Sequence, residues 1–424
     1  MNRVKNLPKN LWSKYRHEIS NEIHRRPYYE QFDPMRISLI SLHTKSYENN
    51  YNHLSDLCEY LAIPAPATKN LTYSYTHQDK FRLRWESHRE FCTFQFIKNV
   101  NLDENYLFTD SNINFIPHLW INNLSSIINC VNLEVINKKN IKSENAEYIF
   151  SAFNNNYVAG SNLCNNKGSV FSDFKIDTNG YHRILLINGD KNGEMTGHQL
   201  GRSIQRILDI ESYRSMSMIS FIKSKDINLN LDNISKNLIK INELDNPNDK
   251  FFKLKNISDE INILNIRNKF RFQASKGYYP IIDDRFKELN FSKIEGIQPY
   301  EIYLNSRINP TKRITLATEN RLNETLDIVN RSSILIKTEI ELDIKKNSIA
   351  LLDNMSKKKD IQIKLQKTVE GLSTIILTYY SVNLFNYLLK GFIVLNDMNL
   401  NNDVISSIVI FPIGYYYYKK NRKL

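Results

Sequence analysis

KLQKTVEGLSTIILTYYSVNLFNYLLKGFIVL, residues 364–395, followed after a polar gap by VISSIVIFPIGYYYY, residues 404–418, sets the organisation expected of the whole chain. The first apolar run extends from Leu372 to about Leu395 and the second from Val404 to Tyr418. At a helical rise of ~1.5 Å per residue these lengths predict one full bilayer span and one short one, a transmembrane helical hairpin. Lys357, Lys358, Lys359, Lys364 and Lys367 stand before it and Lys419, Lys420, Arg422 and Lys423 behind it, whereas the gap is flanked only by Lys390, Asp397 and Asp403. Positive flanks resist translocation, so both termini are expected on the cytoplasmic side. Asn383 and Asn386, inside the first run, suit packing against another helix. The competing reading is a pair of buried core helices, because a run of about fifteen apolar residues is short for a membrane. Pro412 interrupts that second run.

The 424 residues carry a formal net charge of +12, and the mean hydropathy of -0.46 is that of a polar chain outside these runs. Such length has room for two further units. No apolar leader precedes them, so the amino-terminal portion is expected not to be exported. Cys58, Cys92, Cys130 and Cys164 form no C-x-x-C pair and read as reduced core thiols. The positive charge is spread with the abundant Asn, Ile and Lys, and no basic block interleaves with aromatics as a nucleic-acid groove requires, so no nucleic acid is expected. The densest basic cluster, Lys357 to Lys359 with Lys364 and Lys367, makes a lipid bilayer with anionic headgroups the expected partner.

Working towards the amino terminus, residues 194–370 show helical periodicity throughout, with helices expected at Met195–Ser217, Leu229–Ile241, Phe251–Leu289, Pro299–Ser306 and Ile314–Leu365. Leu322, Leu326, Val329, Ser333, Ile336 and Ile340 step by four and three, and Leu365, Val369, Leu372 and Ile376 resume that step. This is coiled-coil spacing, open to two outcomes: packing on the Phe251–Leu289 helix, or self-association through a homo-oligomeric stalk. Residues 1–193 instead mix an amphipathic helix at Leu11–Arg25 with strands at Arg36–His43, two between Leu71 and Ile97, then Val131–Ile136, Ser169–Asp177 and Tyr181–Ile187. Asn179-Gly180 marks a hairpin turn. The expected architecture is α+β: a mixed N-terminal domain (1–193), a helical stalk (194–370) and the transmembrane hairpin with its basic tail (371–424).

Glu86, His88 and Glu90, spaced by two on an expected strand, would share one face, with His24 joining if the first helix docks there. Two carboxylates around an imidazole can serve acid–base or metal chemistry. The alternative is a buried polar network satisfied by Arg25, Arg84 or Arg89. Arg202, Arg206 and Arg214 are candidates for anion or headgroup binding, against a salt-bridge lattice as the plainer role. Neither a phosphate-cradling glycine loop nor a metalloprotease or nucleophile-elbow motif occurs, and no metal or cofactor is expected.

Several segments resemble a bacterial family of membrane-anchored proteins, domain-of-unknown-function family 3422. They are Asn21–Pro27 (NEIHRRP), Trp85–Phe91 (WESHREF), Gly201–Arg214 (GRSIQRILDIESYR), Arg271–Tyr279 (RFQASKGYY), Ser306–Pro310 (SRINP) and Lys364–Tyr380 (KLQKTVEGLSTIILTYY). The last includes the membrane-proximal residues Lys364, Lys367, Glu370, Gly371 and Ser373. His182 stands where the family usually has Thr. The resemblance implies a two-span anchor and a domain without an assigned activity, and it carries over no catalytic residue. The reading reached is a bacterial inner-membrane scaffold or interaction protein with both termini cytoplasmic. Its alternatives are an oligomeric ion channel of the CorA type, although no Gly precedes Met398-Asn399 in the loop, and a metal-dependent enzyme using Glu86, His88 and Glu90.

Overall fold

The computed structural model describes residues 13–421 except 18, 21–29, 67–69, 78–80, 102–105, 125, 143–146, 191 and 396–401. The helix expected at Leu11–Arg25 falls largely outside these residues. The chain divides into two compact units, residues 1–243 with 254–330, and residues 244–253 with 331–424.

Among the described residues, the first unit is built on a mixed sheet of nine strands. Its strands are β1 (Met35–His43), β2 (Thr72–His77), β3 (Phe81–Ser87), β4 (Phe91–Asn99), β5 (Ile127–Asn137), β6 (Ala159–Leu163), β7 (Gly168–Ile176), β8 (His182–Asn188) and β9 (Ser292–Lys293). Their spatial order is β2-β3-β4-β1-β5-β8-β7-β6-β9. Two antiparallel halves meet at one parallel pair, β5 with β8, in which Val131 stands opposite His182 and Val135 opposite Leu186. The β7–β8 hairpin turns at Asn179-Gly180, where Gly180 has φ of 90°, a conformation open to glycine at no steric cost. The Asp177 carboxylate accepts the N–H groups of Asn179 and Tyr181 at 2.8 and 2.9 Å and fixes that turn.

Strand alternation sends side chains to two differently covered faces. One face carries Met35, Ile37 and Leu39 of β1, Val131, Leu133 and Val135 of β5, and Ile184 and Leu186 of β8, all buried in one cluster under the long helices. The other carries Leu83 and Trp85 of β3 with Phe94 and Phe96 of β4, which pack with Leu54, Leu57 and Trp120 of the short helices α1 (Tyr47–Tyr60) and α2 (His118–Asn122). Towards β8 that face is closed by Ile149 and Phe153, in and just after α3 (Glu147–Ala152).

Helix α4 (Gly197–Asn242) begins at a capping box in which Thr196 and Gln199 bond each other's backbone N–H groups. Its Leu200, Ile204, Ile207 and Leu208 supply the apolar stripe that lies on the sheet. The separate helices expected at Met195–Ser217 and Leu229–Ile241 are this single helix of 46 residues. Helix α5 (Pro247–Leu289) adds Tyr279, Ile282, Phe286 and Leu289 to the same core. Close approach of α4 and α5 rests on serines: Ser220 Oγ lies 2.6 Å from Ser275 Oγ and donates to Arg271 O at 3.0 Å.

Helix α6 (Tyr300–Leu395) is 96 residues long and runs through Pro310, joining the two expected helices and the first apolar run into one element. Residues 300–330 belong to the first unit, where Tyr300, Leu304, Ile308, Leu322 and Val329 are buried. Asn228 donates to Thr318 Oγ1 at 2.7 Å, Arg321 pairs with Asp232 at 2.6 Å, and Ser258 donates to Asn330 at 2.9 Å. Of the two outcomes open for the coiled-coil spacing, this part takes the intramolecular one.

The second unit holds residues 331–395 of α6 together with α7 (Asn402–Asn421), and Ser381 Oγ lies 2.9 Å from Tyr417 OH across that helix pair. The expected transmembrane hairpin is corrected here: no described helix is long and apolar enough to cross a membrane. The multi-pass inner-membrane location with two cytoplasmic termini falls with it, and the CorA-type channel loses the spans it needs. The physical reason is polar interruption. Thr374, Thr378, Ser381, Asn383, Asn386 and Lys390 break the first run, and Ser406, Ser407, Pro412 and a terminal block of tyrosines break the second. Polar and ionisable groups in a lipid-facing helix cost free energy that the remaining leucines and isoleucines do not offset over a span's length.

Candidate functional site

Glu86 lies on β3, but the strand ends at Ser87 and His88 N–H bonds Phe91 O at 2.8 Å, turning the chain into β4. The two-residue spacing therefore does not place Glu86, His88 and Glu90 on one strand face; a tight connection brings them under α4 and α5 instead. Each has its own partner. Arg84 Nη2 lies 2.6 Å from Glu86 Oε1, while His88 Nε2 is 4.0 Å from Glu86 Oε2. The His88 ring stacks on Phe91 with centroids 4.0 Å apart, and its Nδ1 is 3.5 Å from Tyr213 OH. Glu90 accepts both terminal nitrogens of Arg271, at 2.7 and 2.5 Å, and the hydroxyl of Tyr278 at 2.6 Å.

Glu90 and Arg271 are each about 95% buried, so the bidentate pair and the tyrosine compensate a desolvation that neither charge could meet alone. The Glu90–Arg271 bond ties the β3–β4 turn to α5. Among the described residues no group of three His, Cys, Asp or Glu side chains is arranged to hold a metal ion. His24 lies outside the described residues.

A neighbouring group was missed by sequence reasoning. Gln95 of β4 donates to Gln205 at 3.3 Å, Gln205 donates to Asp209 at 2.8 Å, and Arg285 Nε donates to the other Asp209 oxygen at 2.8 Å. Burial, reinforced by the Glu86 charge and opposed by Arg285, pushes the Asp209 carboxyl up to about 6. Gln205, Asp209 and Tyr213 step by four along α4, a polar stripe inside an apolar helix that was the available signal.

The arginines considered for anion binding separate. Arg206 pairs with Glu288 at 2.8 Å and Arg214 with the buried Glu211 at 2.5 Å, whereas Arg202 is half-buried beside them on α4. Burial and the Glu211 charge push the Tyr300 phenol well above its usual range. Burial lowers the pKa of His182. Lys364, Lys367, Gly371 and Ser373 are exposed on α6, and Glu370 accepts from Gln366 at 2.8 Å. These contacts make the polar residues of the first unit a set of cross-braces between sheet and helices.

The remaining large feature lies on residues 344–376 of α6. Ile344, Leu351, Leu365 and Leu372 recur every seven residues with one place taken by Lys358. Met355, Val369 and Ile376 recur likewise, with two places taken by Ser348 and Gln362. These seven apolar side chains are 47 to 66% exposed.

Residues 13–422 match the family model described as protein of unknown function (DUF3422), and the chain belongs to that family. No curated protein matches it, and no solved structure does.

Proposed function

We propose that this member of the DUF3422 family is a scaffold that acts by binding and assembly, and that its copies associate through residues 344–376 of α6. The observation that carries this reading is the exposed seven-residue repeat. Solvated apolar residues scattered singly need no explanation, but a repeat held along one helix face is the arrangement that buries knobs into holes of a second helix. Lys358 and Gln362 interrupt the seam in adjacent turns, which favours a partner with the same interruption, and a second copy supplies it. Polar residues within such a seam select register at some cost in stability. The polar groups of the first unit support the same reading, because the charged pairs under the sheet bind one another.

Light scattering on the full chain tests it. The wild-type chain is expected to be a dimer or larger at micromolar concentration. The triple substitution Leu351→Lys, Leu365→Lys and Leu372→Lys is expected to give a monomer with unchanged helical circular dichroism. A monomeric wild-type chain, or a triple variant that still assembles, overturns the proposal.

A further inference from the structure

We propose, independently of the assembly reading, that the first unit binds a small, neutral, polyhydroxylated molecule of sugar or nucleoside type. Its site is the cavity enclosed by residues 107–109, the end of α3 and the β7–β8 turn. That cavity has a volume of about 500 Å³, within the roughly 300–1,000 Å³ typical of small-molecule sites. Thr109, Ser151, Asn154, Thr178 and Asn179 contribute hydroxyl and amide groups to its wall, and Phe108 and Tyr148 contribute rings.

Arg183 of β8 also lines the cavity and is 5% exposed. Its Nη2 donates to Asp173 at 2.7 Å and its Nη1 to Ala152 O at 3.2 Å, while its Nε has no hydrogen-bond partner among the described residues. That Nε is shut off from solvent and cavity alike, so Arg183 serves the site as a fixed part of its wall rather than as a donor to the ligand. The guanidinium is held in place by the Phe153 and Phe108 rings, 5.4 and 5.9 Å from its carbon. Phe108 itself has φ of 59° and is anchored by its N–H, which donates to the buried Glu134 carboxylate at 2.7 Å. Non-glycine residues in that left-handed region are uncommon, and such strain concentrates at ligand sites.

Charge then selects the ligand class. Asp173 neutralises Arg183, and Asp177 adds a negative charge to the wall, so a phosphate or carboxylate is disfavoured. A neutral molecule offering several hydroxyl groups matches this wall, because each hydroxyl donates to a carboxylate and accepts from an amide N–H without adding charge. Asp177 suits this role: both of its backbone bonds end on Oδ1, which leaves Oδ2 for a pair of ligand hydroxyls.

Saturation-transfer NMR on the full chain, with a panel of monosaccharides, disaccharides and nucleosides and with sugar phosphates and polyamines as charged counterparts, tests the assignment. Binding of at least one neutral compound at millimolar concentration is expected. Asp177→Asn keeps the turn-fixing oxygen and is expected to weaken that binding about tenfold, the effect of losing a hydrogen bond to a charged group. Ser151→Trp, at an exposed position on the rim, is expected to abolish it; where that variant fails to fold, Asp177→Asn decides. Absence of transfer to every neutral compound, binding by the charged counterparts alone, or binding unchanged in Asp177→Asn overturns the proposal.

Discussion

Two stretches of one helix carry similar apolar spacing and differ in what covers them. Along residues 300–330 of α6, Tyr300, Leu304 and Ile308 are buried in one core with α4, α5 and the sheet, and Leu322 and Val329 are buried further along. Along residues 344–376, the apolar positions that recur every seven residues are exposed. The first stretch also carries cross-bonds at Thr318, Arg321 and Asn330. Within residues 344–376 side-chain bonds run along α6 itself, as in the Lys357–Asp353 and Gln366–Glu370 pairs. Periodicity establishes that a helix has an apolar face; it does not name what meets that face.

The contrast makes graded predictions for unfolding in urea. Arg271→Ala leaves the Glu90 carboxylate buried without its cation and is expected to cost about 3–5 kcal/mol, the loss seen when one partner of a buried pair is removed. A loss under ~1 kcal/mol would show that the sheet–helix brace contributes little to the first unit. Leu322→Ala, at a fully buried position, is expected to cost roughly 2–5 kcal/mol through lost burial and a residual cavity.

Asp209 adds a pH dependence to the same unit. Its native carboxyl titrates at about 6 and its unfolded counterpart near 3.8. Between those values the unfolded chain binds fewer protons than the native one, so this group makes stability fall as pH rises from about 4 to 6. Asp209→Asn is expected to remove a decline on the order of 2 kcal/mol across that window, measured as the difference between wild-type and variant pH profiles. A difference of the opposite sign would contradict the burial assigned to Asp209. The smallest effect belongs to the exposed stretch. Leu351→Ala is expected to change the stability of the dissociated chain by less than about 0.5 kcal/mol. A loss comparable to that of Leu322→Ala would erase the distinction between the two stretches.

Much of the first unit was legible in its residues. Arg36–His43 alternates as a strand should, Asn179-Gly180 supplies the positive φ of a hairpin, and Leu200, Ile204 and Ile207 trace a helix face. Glu86, His88 and Glu90 were legible as a polar group, and the buried-network reading of them matches their contacts with Arg84, Tyr213 and Arg271. Their supposed shared strand face was not, because a turn at residues 88–90 is decided by how β3 and β4 pair. Asp209 was passed over because a single carboxylate on an apolar helix looks solvated until the sheet is laid over it. The membrane hairpin fails for a related reason: the tyrosines, threonines and asparagines of residues 372–395 are each tolerable within a span, and their summed polarity is not.

Local properties were therefore settled by the residues themselves: the mixed strand and helix content, the helix beginning near Met195, the β7–β8 turn and the existence of two apolar runs. These depend on φ preferences and periodicity over a few neighbouring residues. Only the tertiary structure decided the strand order with its single parallel junction, the pairing of Glu90 with Arg271 across the chain, the raised pKa of Asp209, and which part of α6 is covered. Each of those depends on contacts between residues far apart in sequence, and burial, which sets the energy of a charge or a methyl group alike, exists only once those contacts are made.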